Sequence, residues 1–443
     1  MTTEIWIHGS GSELQGVGRL PDGRAAFVKG ALPGERVRVR VTREVDRYVE
    51  AALEDVLEAA PARTEPACPH YGRCGGCQTL HMQYEYALTL KRQRVFDALQ
   101  RLGGVAEPCV CPALGSDPAF RTRNKAEYPI GPGPDGRLTA GAYAAGSHEI
   151  IPLDDCLLQK EESVNCLKWL NARLNELPGA KQLRFLVTRV DRRGEMMVTL
   201  SGLTPNLSDE KKLAEALRHD VPGVVSLYYC QLKPRPAHAL DGRCMRVWGR
   251  ETLEDELLGL RFELAPQAFF QVNPPQAEAL YNKALEAAFD GKAGGSVLDI
   301  YCGAGTITLA AARLADRATG VEIVRPAIDN ARENAKRNGL AAKTEFICGD
   351  AARELPRLTN RRGRFDAVIL DPPRKGADKP VIEAILRAAP ARVAYVSCNP
   401  ATLARDVKLL TAGGYALEWA QPVDMVPGTG HVETVVLLQE SNS

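Results

Sequence analysis

The sequence carries almost no net charge: 56 Lys and Arg stand against 55 Asp and Glu over 443 residues, a formal +1 at pH 7. A global electrostatic attraction to nucleic acid is therefore excluded, and any basic surface must be local. The chain also lacks a run of about 18 apolar residues, so nothing in it reads as a membrane span. Its opening MTTEIWIHGS has neither the basic nor the apolar region of a secretory signal, and a cytoplasmic protein without membrane contact is expected. Internal repeats and low-complexity tracts are missing as well. What is present is 45% hydrophobic and 25% charged residues, a composition that excludes disorder as the main state. At about 150 residues per domain, the length suggests roughly three domains. Oligomeric state is not readable.

The 12 cysteines are not expected to form a disulfide framework, because reducing compartments keep thiols free. Cys68, Cys74 and Cys77 cluster, with Gly75-Gly76 between the last two allowing the chain to wrap a bulky centre. Four thiolates hold either zinc or an iron–sulfur cluster. The spacing differs from the Cys-x3-Cys-x2-Cys of radical-forming S-adenosylmethionine enzymes, which disfavours radical chemistry. Spacing alone leaves the fourth ligand open among Cys109, Cys111, Cys156 and Cys166.

Three segments follow different patterns. Residues 1–60 read as short strands, Val17–Leu20 and Ala25–Val28 flanking the turn Pro21-Asp22-Gly23. Arg36, Arg38 and Arg40 alternate with Val37, Val39 and Val41, placing three guanidinium groups on one strand face. That face is either solvated or in contact with phosphate. Strands of this length suit a small OB-like β-barrel. Residues 61–265 open on Pro61, Pro66 and Pro69, then show a helical stretch ending at Gly103-Gly104 and a turn tract at 131–136, and are expected to be α+β. The basic run Arg121, Arg123 and Lys125 is most simply a solvated turn, with RNA contact as the alternative. Residues 266–443 alternate apolar runs at 296–301, 318–323, 344–348, 366–370 and 392–397 with helical patterns. Such alternation predicts a doubly wound, mainly parallel, Rossmann-like sheet.

Strand ends in this last segment carry the chemistry. The first runs into Tyr301-Cys302-Gly303-Ala304-Gly305, a bend that lets a ligand lie against backbone. A dinucleotide fingerprint wants a third Gly at 308, where Thr308 stands, so nicotinamide and flavin lose ground. The second ends at Glu322, 19 residues after Gly303 and suited to accept both ribose hydroxyls. Asp350 follows the third, placed for an adenine amino group, and Asp371-Pro372-Pro373-Arg374 follows the fourth. Acidic strand ends without a pyrophosphate cradle point to S-adenosylmethionine; the bland alternative makes Glu322 and Asp350 helix caps.

The fifth strand ends at Ser397-Cys398-Asn399-Pro400, close to a helix N-terminus, where a thiolate is expected to be stabilised. A nucleophilic cysteine beside a methyl donor suggests pyrimidine activation, because carbon 5 reacts poorly until something adds at carbon 6. Gly430-His431-Val432-Glu433-Thr434 enters the last apolar strand, and an inward carboxylate there makes Glu433 a candidate general base. A strand-edge salt bridge is the alternative for Glu433, and a hydrogen-bonded structural role is preferred for His431.

Together these pieces resemble the RNA uridine-5-methyltransferase family, in particular its cluster-containing branch acting on 23S ribosomal RNA. Gly16–Val41, with Gly-Ala-Leu-Pro-Gly-Glu-Arg-Val at 30–37, is similar to the family's TRAM barrel. The resemblance implies a 4Fe–4S cluster on Cys68, Cys74, Cys77 and Cys156, the last within Leu153–Gln159. Arg123-Asn124-Lys125-Ala126 matches a central-domain motif. Gln271, in Phe270–Asn273, with Tyr301, Glu322, Asp350 and Asp371, falls on donor contacts of a C-terminal class I methyltransferase domain. Cys398 matches the nucleophile and Glu433 the base. Thr306 replaces an Asn found in some members, and Val426 and Gly428 stand where bulkier residues are frequent. Cytidine methylation is disfavoured, since Arg374 stands where that class usually has a second cysteine. A non-catalytic iron–sulfur RNA-binding protein would leave Cys398 and Glu433 without a purpose. A transfer-RNA substrate stays open.

Overall fold

The computed structural model describes residues 2–441. Strands Thr2–Ser10, Gly16–Arg19, Ala25–Lys29, Arg36–Val45 and Tyr48–Glu58 close into a five-stranded barrel. Period-two alternation sends Ile5, Ile7, Val28, Val37 and Val39 into its core. The outward arginines meet acids on both neighbouring strands. Arg36 pairs with Glu4 at 2.9 Å and Glu58 at 3.0 Å, Arg38 with Asp55 at 2.7 Å and Glu4 at 3.3 Å, and Arg40 with Glu54 at 3.0 Å. Of the two expectations for this face, the structure supports the solvated one. Strand register set opposite charges side by side, which a single strand's sequence does not reveal.

The central unit is α+β, as expected. Its seven-stranded sheet runs Gly242–Gly249, Val224–Leu232, Met196–Gly202, Leu183–Val190, Lys125–Pro132, Leu138–Tyr143, Ile150–Pro152. Helices Glu161–Arg173 and Glu210–Asp220 cover it through Leu167, Leu170, Leu213 and Leu217. The Gly-rich tract at 131–136 forms the hairpin between Lys125–Pro132 and Leu138–Tyr143.

The C-terminal sheet has the order Thr344–Cys348, Arg317–Glu322, Ser296–Ile300, Ala367–Leu370, Arg392–Ser397, Glu433–Glu440, Tyr415–Val423. The first five strands are parallel and lie within one or two residues of the apolar runs; the last two are antiparallel. Strand order reverses beside Ser296–Ile300, which opens a ligand crevice at the carboxyl edge. Helix Arg325–Arg337 starts with Pro326 in its first turn, and Gly339 follows its C-cap with φ 68°.

Two pieces from earlier in the chain pack onto this sheet. Helix Tyr84–Arg101 presents Val95 and Leu99, one stripe of the helix, to a core shared with Leu403 and Val407. Hairpin Leu253–Leu257/Leu260–Leu264 buries Leu257 and Phe262 among Leu280 and Ala284. Among the described residues no helix is long and apolar enough to cross a membrane.

Candidate active site

Register brings the two reactive candidates together. Ser397 pairs with Thr434 across antiparallel strands, so Cys398 and Glu433 are the next opposed positions, at the edge where the crevice opens. Asp371 follows the neighbouring strand Ala367–Leu370 at the same edge. Burial raises the Glu433 carboxyl to about 8, with the Asp371 charge adding to the rise and Arg374 opposing it. Burial also lifts Asp371 to about 7. Among the described residues neither carboxylate has a salt-bridge partner, so a strand-edge ion pair does not account for Glu433. Two unpaired, part-buried carboxyls beside a thiol are costly to the fold and chemically useful.

The expected stabilised Cys398 thiolate is corrected. The thiol is pushed up, first by burial and then by Glu433 and Asp371, with Arg374 opposing. The helix Pro400–Ala412 does begin beside it, but Asn399 caps that helix by accepting from Ala401 N at 3.1 Å. The helix end is thus satisfied by its own cap, and burial together with the neighbouring acids outweighs it.

The residues expected to contact a methyl donor come from four places in the chain. Gln271 precedes helix Pro274–Phe289; its Nε2 donates to Tyr281 Oη at 3.1 Å, and its carbonyl accepts from Asn124 Nδ2 at 3.1 Å. Asn124 N also donates to Val272 O at 2.8 Å, so the central unit buttresses this segment. Tyr301 adopts φ 67°, a left-handed conformation strained for a tyrosine, directly before the glycine bend. Glu322 is anchored by Val324 N at 2.9 Å and Gly303 N at 3.3 Å, leaving carboxylate lone pairs free. Asp350 is exposed and caps helix Ala351–Arg362 by accepting from Ala352 N at 2.8 Å. The capping alternative therefore describes Asp350 well and Glu322 only in part.

Sequence reasoning missed two residues here. Asp299 is buried and raised to about 7, accepting from Thr308 Oγ1 at 2.6 Å while its second oxygen has no partner. Thr308 is thus a buried hydrogen-bond donor where a dinucleotide fold would have glycine. Tyr281 is buried between Gln271 and the charges of Asp371 and Glu433. Its helical spacing reads as plain core, so no signal in the sequence marked it. His431 lies at the surface with part of its ring covered, and its pKa is lowered, first by that covering and then by Arg374, Arg94, Lys91 and Arg123.

The structure also gathers Cys68, Cys74, Cys77 and Cys156. Burial pushes the Cys77 thiol up to about 12, and the nearby Cys156, Cys74 and Cys68 push it the same way. Cys156 in turn is raised by burial and by Cys74 and Cys68. Cys166, by contrast, feels burial alone, and Cys109 is exposed. Burial and mutual repulsion thus disfavour charging Cys74, Cys77 and Cys156 as they stand. Gly76 N donates to Cys74 Sγ at 3.4 Å. Among the described residues no group of three or more His, Cys, Asp or Glu has the geometry to hold a metal ion. The expectation of a solvated Arg121–Lys125 turn is corrected too. Arg121 grips Asp155 with two bonds of 2.7 Å and Cys156 O at 2.8 Å, holding the fourth cysteine in place.

With this geometry in hand, similarity to known proteins is extensive. Residues 2–53 match the TRAM domain model, and residues 248–441 match the model described as tRNA (Uracil-5-)-methyltransferase. An uncharacterized RNA methyltransferase of Halalkalibacterium halodurans is 38% identical over 450 residues, covering 99% of this chain and 97% of the relative. One from Caldanaerobacter subterraneus subsp. tengcongensis is 40% identical over 446 residues, covering 98% and 97%. The crystal structure of Pyrococcus abyssi tRNA (uracil-54, C5)-methyltransferase in complex with S-adenosyl-L-homocysteine superposes with a TM-score of 0.76. It is 28% identical and covers 98% of this chain and 99% of that one.

Proposed function

This chain belongs to the RNA uracil-5-methyltransferase family, and we propose that it methylates carbon 5 of a uridine in 23S ribosomal RNA through a covalent Cys398 adduct. The observation that carries this reading is the opposition of Cys398 and Glu433 across one strand pair, with Asp371 at the same edge. S-adenosylmethionine, when bound, supplies an electrophilic methyl group; Gln271, Tyr301, Glu322, Asp350 and Asp371 are the residues that would hold it. The target uridine leaves its stack, because carbon 6 is otherwise out of reach.

Cys398 Sγ bonds to carbon 6, and the electron pair of the 5,6 double bond moves into an enolate. Carbon 5 of the enolate then takes the methyl group, and the electron pair of the broken methyl–sulfur bond stays with the departing thioether. Glu433 removes the proton from carbon 5, the double bond re-forms, and the carbon–sulfur bond breaks with its electrons returning to Cys398. A base with a pKa near the working pH suits that last step. At neutral pH Asp371 and Glu433 hold much of their proton complement, so the part of the Cys398 shift that comes from their repulsion is relieved.

Cys68, Cys74, Cys77 and Cys156 would hold a 4Fe–4S cluster, in a structural role, since methyl transfer of this type needs no electron. Anaerobically purified protein is then expected to be brown, with iron and acid-labile sulfide. Cys156→Ser should lose both, whereas Cys109→Ser should keep them. Stoichiometric zinc without iron or sulfide would sink the assignment.

Similarity to the Pyrococcus abyssi enzyme favours a second substrate, uridine in transfer RNA. Mass spectrometry of nucleosides after reaction with labelled donor separates the two. Methyl label in 5-methyluridine from ribosomal RNA and none from transfer RNA supports the first reading; the reverse overturns it.

A further inference from the structure

Glu433 stands at the end of the loop Asp424–Val432, and that loop is gripped from outside the methyltransferase sheet. Asp424 and Lys91 are both fully buried and form an ion pair 2.5 Å long between residues 333 positions apart. The second Asp424 oxygen has no partner, so Lys91 is what balances this charge. One turn further along helix Tyr84–Arg101, Arg94 donates to Gly430 O at 2.7 Å. From the cysteine-bearing segment, Gln78 N and Thr79 N both donate to Gly428 O, at 2.8 and 3.1 Å. The Gln78 side chain closes the grip, accepting from Gly430 N at 3.3 Å and donating to Gly75 O at 3.0 Å. Gly428 itself lies against the sulfur of Cys77: a Cβ there would sit 3.6 Å from Cys77 Sγ.

Such a grip is more than loop packing needs. A buried ion pair is costly to assemble and unforgiving of shifts, so it specifies one position for its loop rather than adding much stability. The helix holds the loop at Asp424 and again at Gly430, and the cysteine segment adds its own grip on Gly428 and Gly430. Only Val432 separates the exposed His431 from Glu433, leaving little chain in which to absorb a displacement.

We propose that Lys91 and Gln78 are positioning residues for Glu433, and that the cysteine-bearing segment serves the proton-abstraction step by holding the loop from which Glu433 projects. The inference rests on Glu433 being the base. The cysteine segment thereby keeps one carboxylate on target after the methyl group has arrived. It follows that damage to the clamp spares donor binding and thiol addition, which belong to other strand ends, and slows release of the methylated RNA.

The test compares single-turnover reactions of the full-length protein with an RNA substrate that the parent methylates, resolving covalent RNA–protein adduct from free methylated RNA. Gln78 is exposed, so Gln78→Ala is expected to fold. Adduct breakdown should slow about 10- to 100-fold, as misplacement of a reacting group by about 1 Å does, while donor affinity by calorimetry stays within about twofold. Gln78→Glu keeps the acceptor for Gly430 N–H and should restore breakdown. Lys91→Met combined with Asp424→Leu removes the buried charges together, avoiding an unpaired carboxylate, and should slow breakdown likewise. Breakdown at the parental rate in both variants overturns the proposal, as does equal loss of adduct formation and adduct breakdown, which marks a merely structural role. Glu433→Gln is run alongside. If it fails to accumulate methylated adduct, the assignment of the base falls; if it accumulates adduct and the clamp variants do not, the clamp alone falls.

Discussion

The barrel face and the mouth of the C-terminal sheet treat charge in opposite ways. On the barrel, Arg36, Arg38 and Arg40 are exposed and each is matched by an acid across the strand. At the sheet mouth, Asp299, Asp371 and Glu433 are drawn out of water without a cation paired to any of them, and burial raises all three. Charges that are exposed and matched hold register and solubility. Charges that are buried and unmatched cost the fold stability, and where they cluster at a crevice they mark a candidate reactive site. The contrast separates the scaffold from the reactive site more sharply than charge density does, since both regions are rich in ionisable groups.

The largest expected effects fall on the unmatched side. Cys398→Ala should bind RNA and donor but form no covalent species, because carbon 6 has no attacker. Glu433→Gln preserves shape yet cannot take the carbon-5 proton, so a methylated adduct should accumulate and survive denaturing electrophoresis. Turnover should drop about 10²- to 10⁴-fold, the usual contribution of a positioned base. Parental turnover in Glu433→Gln, with no adduct, would transfer the role to another group, with His431 next in line.

The same burial makes a linked prediction about pH. Adduct breakdown should accelerate with rising pH and level off above about 8, as Glu433 loses its proton. Stability should move the other way. Between the ordinary carboxyl range near 4.5 and about 8, folded Glu433 keeps a proton that the unfolded chain has released. The folded state therefore binds more protons, and its stability falls as pH rises through that window. Glu433→Gln should consequently raise the unfolding midpoint at pH 8, by roughly 2–4 °C for each kcal/mol of penalty removed. Well below 4.5, where both states hold the proton, the difference should vanish. A variant less stable than the parent at the higher pH would mean that the carboxylate has a stabilising partner.

How far the sequence reveals this arrangement depends on the range of each interaction. Strands at 296–300, 344–348 and 392–397 were legible because a buried parallel strand is a short apolar run, and burial is a local property. Gly303, Glu322 and Asp371 were legible because strand ends in a doubly wound sheet share one edge. The clamp was not: Lys91 and Asp424 are ordinary helix and loop residues until folding makes them neighbours. Nor was the Cys398 environment, because its helix announces itself locally while the burial that dominates, and the two acids that add to it, come from other strands. The neutralised barrel face has the same cause, cross-strand register. Tyr281 was hidden for a further reason, since a tyrosine on the buried stripe of a helix is indistinguishable from core until its hydroxyl is located.

A middle-sized effect tests the donor side, where matched and unmatched acids adjoin. Glu322 is held by two backbone N–H groups and keeps free lone pairs, so Glu322→Ala should weaken donor binding by ~1–3 kcal/mol, about 5- to 150-fold. RNA affinity should barely change. For Asp350 the cap must be kept while the carboxylate is removed, which Asp350→Ser does. A donor affinity reduced in Asp350→Ser makes Asp350 a ligand as well as a cap; an unchanged one leaves it a cap only. Unchanged calorimetric titrations for Glu322→Ala would remove that residue from the pocket.

The smallest effect is expected on the barrel, and it is the one that most directly probes the contrast. Arg38 lies in the middle of the arginine row and is shared between Asp55 and Glu4, both themselves exposed. Exposed pairs gain little Coulomb energy in water and lose side-chain freedom in forming, so Arg38→Ala should move the unfolding midpoint by no more than about 2 °C. If the row also gripped phosphate, each arginine would release counterions on binding, and removing one would lower the salt slope of RNA affinity by about 1. A matched face predicts otherwise, because an arginine already neutralised by two carboxylates has little charge to offer a phosphate. RNA titrations of Arg38→Ala at several salt concentrations should therefore run parallel to the parent. Asp55→Asn is the informative counterpart. Freeing Arg38 from its closer acid should strengthen RNA binding slightly at low salt, an effect that disappears as screening shortens the reach of the freed charge. A loss of affinity in Arg38→Ala with a shallower slope would show the opposite, that the acids on this face give way to RNA when it arrives.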